Sequence, residues 1–211
     1  MAAGFRFIEV PADSDGPALD GAMWYPRSEP PEEIDLGKIT TIFKITVLGA
    51  KNCPISGANL PLVVVSHGKG SHFVLHHDTA ETLADAGFIV AAINHPGDNF
   101  LDLSRSGDLS VMVGRPTDIK RLIDFMVGAS PAASKIDAER VGFFGFSRGG
   151  YTGLVLRGLG ALPTFGDRVL RLSCGMAGSM GNRGPAEGYH PEGKVDTCAD
   201  TVFGPVIRLA R

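Results

Sequence analysis

Cysteine is scarce in this chain. Its 211 residues hold three, Cys53, Cys174 and Cys198, with no C-x-x-C spacing. An odd, scattered set excludes a disulfide framework and a thiolate metal site, and free thiols in a reducing compartment are expected. Strong charge is also missing. Twenty Lys and Arg against 23 Asp and Glu leave a formal net charge of -3, too little to draw the chain to nucleic acid or to an anionic membrane. No run of 18 apolar residues occurs, so no helix that spans a bilayer is expected. The opening "MAAGFRFIEVPADSDG" has neither the basic nor the continuous apolar stretch of a signal peptide, and cytoplasmic residence is the default expectation. What is present is ordinary for a globular protein with a core: 44% hydrophobic and 20% charged residues, in a length that suits one domain spanning 1–211.

The first third reads as β-structure with loops. "FRFIEV" (5–10) and "GAMWYP" (21–26) are short strands flanking the turn-rich "PADSDGPALD", and Trp24 and Tyr25 are expected to pack under them. "RSEPPEEIDLGK" (27–38) is polar and Pro-rich, which predicts an exposed connection. "TIFKITVL" (41–48) is a candidate third strand. From residue 60 the pattern changes. "LPLVVVSHG" (60–68), "FIVAAIN" (88–94) and "RVGFFGF" (140–146) are nearly continuous apolar runs, the signature of strands buried on both faces. Between them, "HHDTAETLADAG" (76–87) has helical spacing, with Leu75, Thr79, Leu83 and Ala86 on one side. "RPTDIKRLIDFMVG" (115–128) carries the stripe Ile119, Leu122, Ile123, Met126, with Pro116 suited to a first turn. "RGGYTGLVLRGLG" (148–160) opens a third helix. Strand and helix alternate from 60 to 160, which predicts an α/β fold with a mostly parallel sheet and helices on both faces. Beyond Gly160 the chain is Gly-rich and weakly periodic, and "TVFGPVIRL" (201–209) is its one further candidate strand.

The candidate chemistry sits in "ERVGFFGFSRGGYTG" (139–153). A G-x-S-x-G element that follows a strand and opens a helix presents its serine on a strained turn above the sheet, and Ser147 is therefore the candidate nucleophile. The bland alternative is a glycine-flanked serine that caps an ordinary turn. Acyl transfer also needs two N–H groups aimed at a developing oxyanion. One is expected from Arg148, the residue after the serine. The other is expected from Lys69 in "SHGKGSH" (66–72), where Gly68 and Gly70 free the backbone to turn. His67 precedes the serine, where an orienting role is more natural than proton transfer. "GKG" lacks phosphate-loop spacing, and no G-x-G-x-x-G is present, so nucleotide binding is disfavoured. The pair His76-His77 with Asp78 reads as polar residues at a helix start rather than as metal ligands. Arg148 could meet an anionic substrate but is better read as the partner of a surface carboxylate.

The ordered segments "LPLVVVSHGKG", "LADAGFIVAAINHPGD", "RPTDIKRLIDFM" and "VGFFGFSRGGYTG" together resemble the α/β-hydrolase superfamily. Within it they look most like the dienelactone-hydrolase-like and platelet-activating-factor-acetylhydrolase-like esterases. The resemblance covers roughly residues 5–160. It implies Ser147 as nucleophile, the backbone N–H groups of Lys69 and Arg148 as oxyanion hole, and "NHPGD" (94–98) near the pocket mouth, so that His67, Gly68 and His95 would line the pocket. Dienelactone hydrolases carry cysteine at the elbow, and Ser147 places this chain toward the serine esterases. The implied substrate is a small carboxylic ester with a short or medium acyl group. No cofactor and no metal are implied.

The resemblance also exposes a gap. Superfamily order is Ser, then an acidic residue, then His. Only His190 follows Ser147, and only Asp167 and Glu187 lie between them. "PAEGYHPEGK" is not the strand-end loop expected of a catalytic histidine, so His190 is a weak candidate for the base. Against the same pattern the last strands are missing, and residues 161–211 read either as a lid or as the altered tail of a truncated chain. Lost strands would bare a sheet edge, which a second copy or a partner could cover. Two readings therefore stand, a serine esterase and a catalytically incomplete remnant that binds a ligand.

Overall fold

A computed structural model describes residues 3–30, 32–38, 44–159, 170–172 and 206–209. His190, Asp167, Glu187, Cys174 and Cys198 lie outside these residues.

Strands β1 (Gly4–Val10) and β2 (Leu19–Tyr25) form an antiparallel hairpin, and β3 (Glu32–Lys38) pairs antiparallel with β4 (Lys44–Lys51). The polar stretch expected to be a bare connection therefore contains a strand. Two prolines precede it, and its backbone groups are satisfied by β4, a cross-strand partner that local composition does not reveal. Strands β5 (Leu60–Ser66), β6 (Ile89–Ile93) and β7 (Ile136–Gly145) follow. Short strands β8 (Leu170–Leu172) and β9 (Val206–Leu209) complete the sheet among the described residues. The spatial order is β3-β4-β1-β2-β6-β5-β7-β9-β8. The centre, β6-β5-β7, is parallel, and β9 joins β7 antiparallel.

The apolar runs divide by parity, as a pleated strand requires. Leu62 and Val64 pack with Ile89, Ala91, Ile93, Val141 and Phe143 on one face, under Ile119, Leu122, Ile123 and Met126 of helix α2 (Leu109–Gly128). Val63 and Val65 pack with Val90, Ala92, Trp24 and Phe144 on the other, under Ala80 and Ala84 of helix α1 (His77–Asp85). Both faces are covered, which is why these strands read as unbroken hydrophobic runs. Trp24 is buried and meets the Phe5 ring edge-on at 5.4 Å. Tyr25 donates from its hydroxyl to the Cys53 carbonyl at 3.1 Å. Among the described residues, no helix is long and apolar enough to cross a membrane.

Two helices depart from expectation. The buried seam of α1 is Ala80 and Ala84, with Leu83 half-buried beside them, while Leu75 is 52% exposed. Small side chains let the helix approach the sheet closely, so size rather than hydrophobicity selects the face. Helix α2 begins at Leu109, well before Arg115. Asp108 caps it, accepting from the Ser110 N–H at 2.8 Å, and Pro116 stands inside the helix rather than in its first turn, a cost that the buried face of Val111, Ile119, Leu122, Ile123 and Met126 offsets. Gly114 stands in the same helix, with no atom within 4 Å of where a Cβ would go. Gly114→Ala should raise stability by about 0.5–1 kcal/mol through helix propensity, measured by urea unfolding.

Candidate active site

Strand β7 ends at Gly145, and the chain must enter helix α3 (Arg148–Leu154) almost at once. Ser147 makes that turn at φ 52° and ψ −115°. A residue with a Cβ adopts such a conformation at a cost on the order of 1–3 kcal/mol, and only where its surroundings impose it. The surroundings here are backbone. A Cβ at Gly149 would land on the Ser66 carbonyl, and one at Gly145 would land on the Gly149 carbonyl. The two glycines of G-x-S-x-G are thus required because the end of β5, the end of β7 and the start of α3 touch through main chain alone. The Ser147 side chain is left exposed at the top of the sheet.

Ser66 and Gly145 are register partners in the parallel pair, so the loop after β5 emerges next to the turn after β7. A methyl on Gly68 would lie 3.6 Å from Ser147 Cβ and 3.3 Å from the Phe146 ring. Lys69 follows, exposed. Among the described residues, neither the Lys69 nor the Arg148 backbone N–H has a backbone acceptor. The sequence therefore brings Gly68, Lys69, Ser147 and Arg148 to one spot. Exposed apolar side chains border it. Phe146 is 52% and Leu103 58% exposed, and Leu103 reaches the Gly70 position.

His67 and His95 do not line this surface. Both are buried beneath it, at 1% and 0% exposure, which corrects their expected place at the pocket. Their hydrogen bonds fix their proton positions. His67 Nε2 accepts from the His95 backbone N–H at 3.2 Å, so its Nδ1 carries the proton and donates to the Gly68 carbonyl at 2.7 Å. Arg115 Nη2, 3.1 Å from the same Nδ1, is then a second donor facing a donor, and it is the His67 carbonyl that accepts from it, at 2.8 Å. Burial, with the neighbouring Arg115 charge, pushes the His67 pKa down to about 2. Its ring holds the loop and has no free nitrogen for a substrate. His95 bridges Ser66 Oγ and Asp118 Oδ2, each at 2.9 Å. This buried Ser–His–Asp chain has the bonding pattern of a hydrolytic triad, but Ser66 has no exposed surface. Burial drives the His95 pKa well down and lifts that of Asp118 to about 7.

Among the described residues, no side chain hydrogen-bonds to Ser147. His72 accepts from the Val74 N–H, His76 lies against the Phe144 and Phe146 rings, and His77 pairs with Glu81 at 3.2 Å. Arg148 extends away from the surface. Its Nη1 donates to Asp98 Oδ2 at 2.7 Å and to the Ser106 carbonyl at 3.1 Å. The carboxylate expected at the surface is thus fully buried. Asp98, Arg115 and Asp118 were not distinguishable in sequence from ordinary polar residues. "NHPGD" marked the neighbourhood of the first, but nothing marked the two on α2, which a single-chain helical stripe treats as its polar side.

A family model described as platelet-activating factor acetylhydrolase, isoform II, matches residues 36–100, less than half of the chain and short of Ser147. Among curated proteins, none matches the chain. In shape it is similar to a ferulic acid esterase from Streptomyces cinnamoneus, with a TM-score of 0.57 and 19% identity over 74% of this chain and 55% of that one. A dienelactone hydrolase-like promiscuous phosphotriesterase from metagenomic libraries is more distant, with a TM-score of 0.45 and 22% identity over 74% of this chain and 54% of that one. The chain thus spans about half the length of each of these two structures. Its parallel three-strand centre clothed by helices on both faces, the turn at Ser147 and the likeness to the esterase together make this an α/β-hydrolase fold.

Proposed function

We propose that the chain is a serine hydrolase that cleaves small carboxylic esters with short or medium acyl groups. The observation that carries this reading is the positive-φ turn at Ser147, an exposed hydroxyl held in a strained conformation beside two backbone N–H groups that have no backbone acceptor among the described residues. Ser147 Oγ attacks the ester carbonyl and forms an acyl–oxygen bond. The C–O bond of the leaving alcohol breaks, the alcohol takes up the proton lost by the serine, and water then releases the acid. The Lys69 and Arg148 N–H groups stabilise the oxyanion. Exposed Phe146 and Leu103 offer the acyl chain an apolar bed. The serine proton needs an acceptor, and His190, the histidine that follows Ser147 in the chain, is the first candidate.

The second reading is a ligand-binding module without turnover. It is favoured by the absence, among the described residues, of any histidine bonded to Ser147. A fluorophosphonate separates the two, since Ser147 would form an O–P bond and expel fluoride. Intact mass should show a single adduct on the wild-type chain and none on Ser147→Ala. A folded wild-type chain that stays unlabelled would leave the binding module as the reading.

A further inference from the structure

We propose that Asp98 is a positioning residue that locks the Lys69–Gly70 loop to the Ser147 turn by holding one neighbour of each at the same time. This rests on the reading of Ser147 and Lys69 given above. Asp98 Oδ1 accepts from the Gly70 backbone N–H at 3.0 Å and from Ser106 Oγ at 2.8 Å. Oδ2 accepts from Arg148 Nη1 at 2.7 Å, with Arg115 Nε 3.7 Å away. Gly70 follows Lys69, and Arg148 follows Ser147. One carboxylate therefore joins the two segments whose N–H groups must converge on a single oxygen.

Its chemistry suits that task. The side chain has no exposed surface, so its bonds compete with no water and stay short and directional. Two guanidinium groups face one carboxylate. Burial alone would raise the Asp98 pKa, but the bonds from Arg148, Ser106 and Gly70 and the Arg115 charge outweigh it and keep the group ionised. Gly70 stands at φ 58°, a left-handed conformation that leaves the loop free to adopt others unless something fixes its N–H. Asp98 is that fixture. A displacement of about 1 Å at such a site can cost on the order of a hundredfold in rate, so the lock has value beyond stability.

Asp98→Asn keeps an acceptor for Gly70 and removes the charge that holds Arg148, while Arg148→Met cuts the link from the other end. Amide hydrogen exchange of the segments 67–74 and 146–153 should be at least tenfold faster in both variants, with the rest of the sheet unchanged. The double variant should be no faster than the looser single one, because both break one connection. In parallel, the saturating rate of fluorophosphonate labelling should fall at least tenfold in both, with half-saturation unchanged. That split separates positioning from a mere loss of fold. If the wild-type chain is not labelled at all, the nucleophile reading fails by itself, and exchange still decides the role of Asp98. Should Asp98→Asn not fold, Arg148→Met alone carries the test, since it leaves the carboxylate bonded to Gly70 and Ser106. Unchanged exchange at 67–74 in Arg148→Met, or a uniform rise over the whole chain, would overturn the proposal.

Discussion

Gly149→Ala is expected to destabilise the chain by at least about 3 kcal/mol, near the upper end for a single added methyl. The methyl would fall on the Ser66 carbonyl, which also accepts from the Phe146 N–H at 3.2 Å. Neither partner is a side chain that can rotate away. Relief would require α3 to move off the sheet, and the Ser147 turn would go with it. Gly150→Ala, one residue on, is the control, because its nearest neighbour is the Gly145 carbonyl at an ordinary 3.5 Å. That variant should be within about 1 kcal/mol of wild type, helped by helix propensity. Urea unfolding of the three proteins measures the difference. Equal stability of Gly149→Ala and wild type would mean that α3 does not rest on β5 as described.

The second large effect is a loss of stability in acid. His67, His72 and His95 are each at most 4% exposed, and burial lowers all three pKa values, that of His72 to about 4. They are neutral in the folded chain and take up protons near the ordinary value of 6.5 once it unfolds. Their contribution is therefore complete above 6.5 and is lost as pH falls below it. Asp118 acts in the opposite sense. Its pKa is raised to about 7, so its contribution is complete below the ordinary carboxylate value and is lost as pH rises through 7. Between roughly pH 4 and 6.5 the unfolded chain gains three protons and gives up one. The net of two corresponds to a slope on the order of 2–3 kcal/mol per pH unit at its steepest. The urea midpoint should fall sharply from pH 6.5 to 5, and more sharply still in Asp118→Asn, which lacks the opposing group. A flat profile would mean that the rings under the Lys69 loop are solvated.

These two effects separate what each level of organisation contributes. The alternation of apolar runs and amphipathic segments from Leu60 onward already implied a parallel centre with helices on both faces, because a strand covered twice has no polar parity to display. G-x-S-x-G after a strand already implied a sharp turn at Ser147, since glycines so spaced are what a close main-chain contact needs. Local pattern was silent where the partner was remote. The β3 strand depends on β4, the seam of α1 on how near it approaches the sheet, and the start of α2 on a cap that a proline seven residues past the helix start obscured. The site divides in the same way. The approach of the Ser147 turn to the loop at Gly68 and Lys69 could be read from chain order, because the glycines beside them report close main-chain contact. The burial of His67 and His95, the protonation of their rings, and the four partners of Asp98 follow from groups 8 to 50 residues apart in sequence. Only the packed sheet brings those groups within hydrogen-bonding distance, and desolvation then decides which of them carry charge.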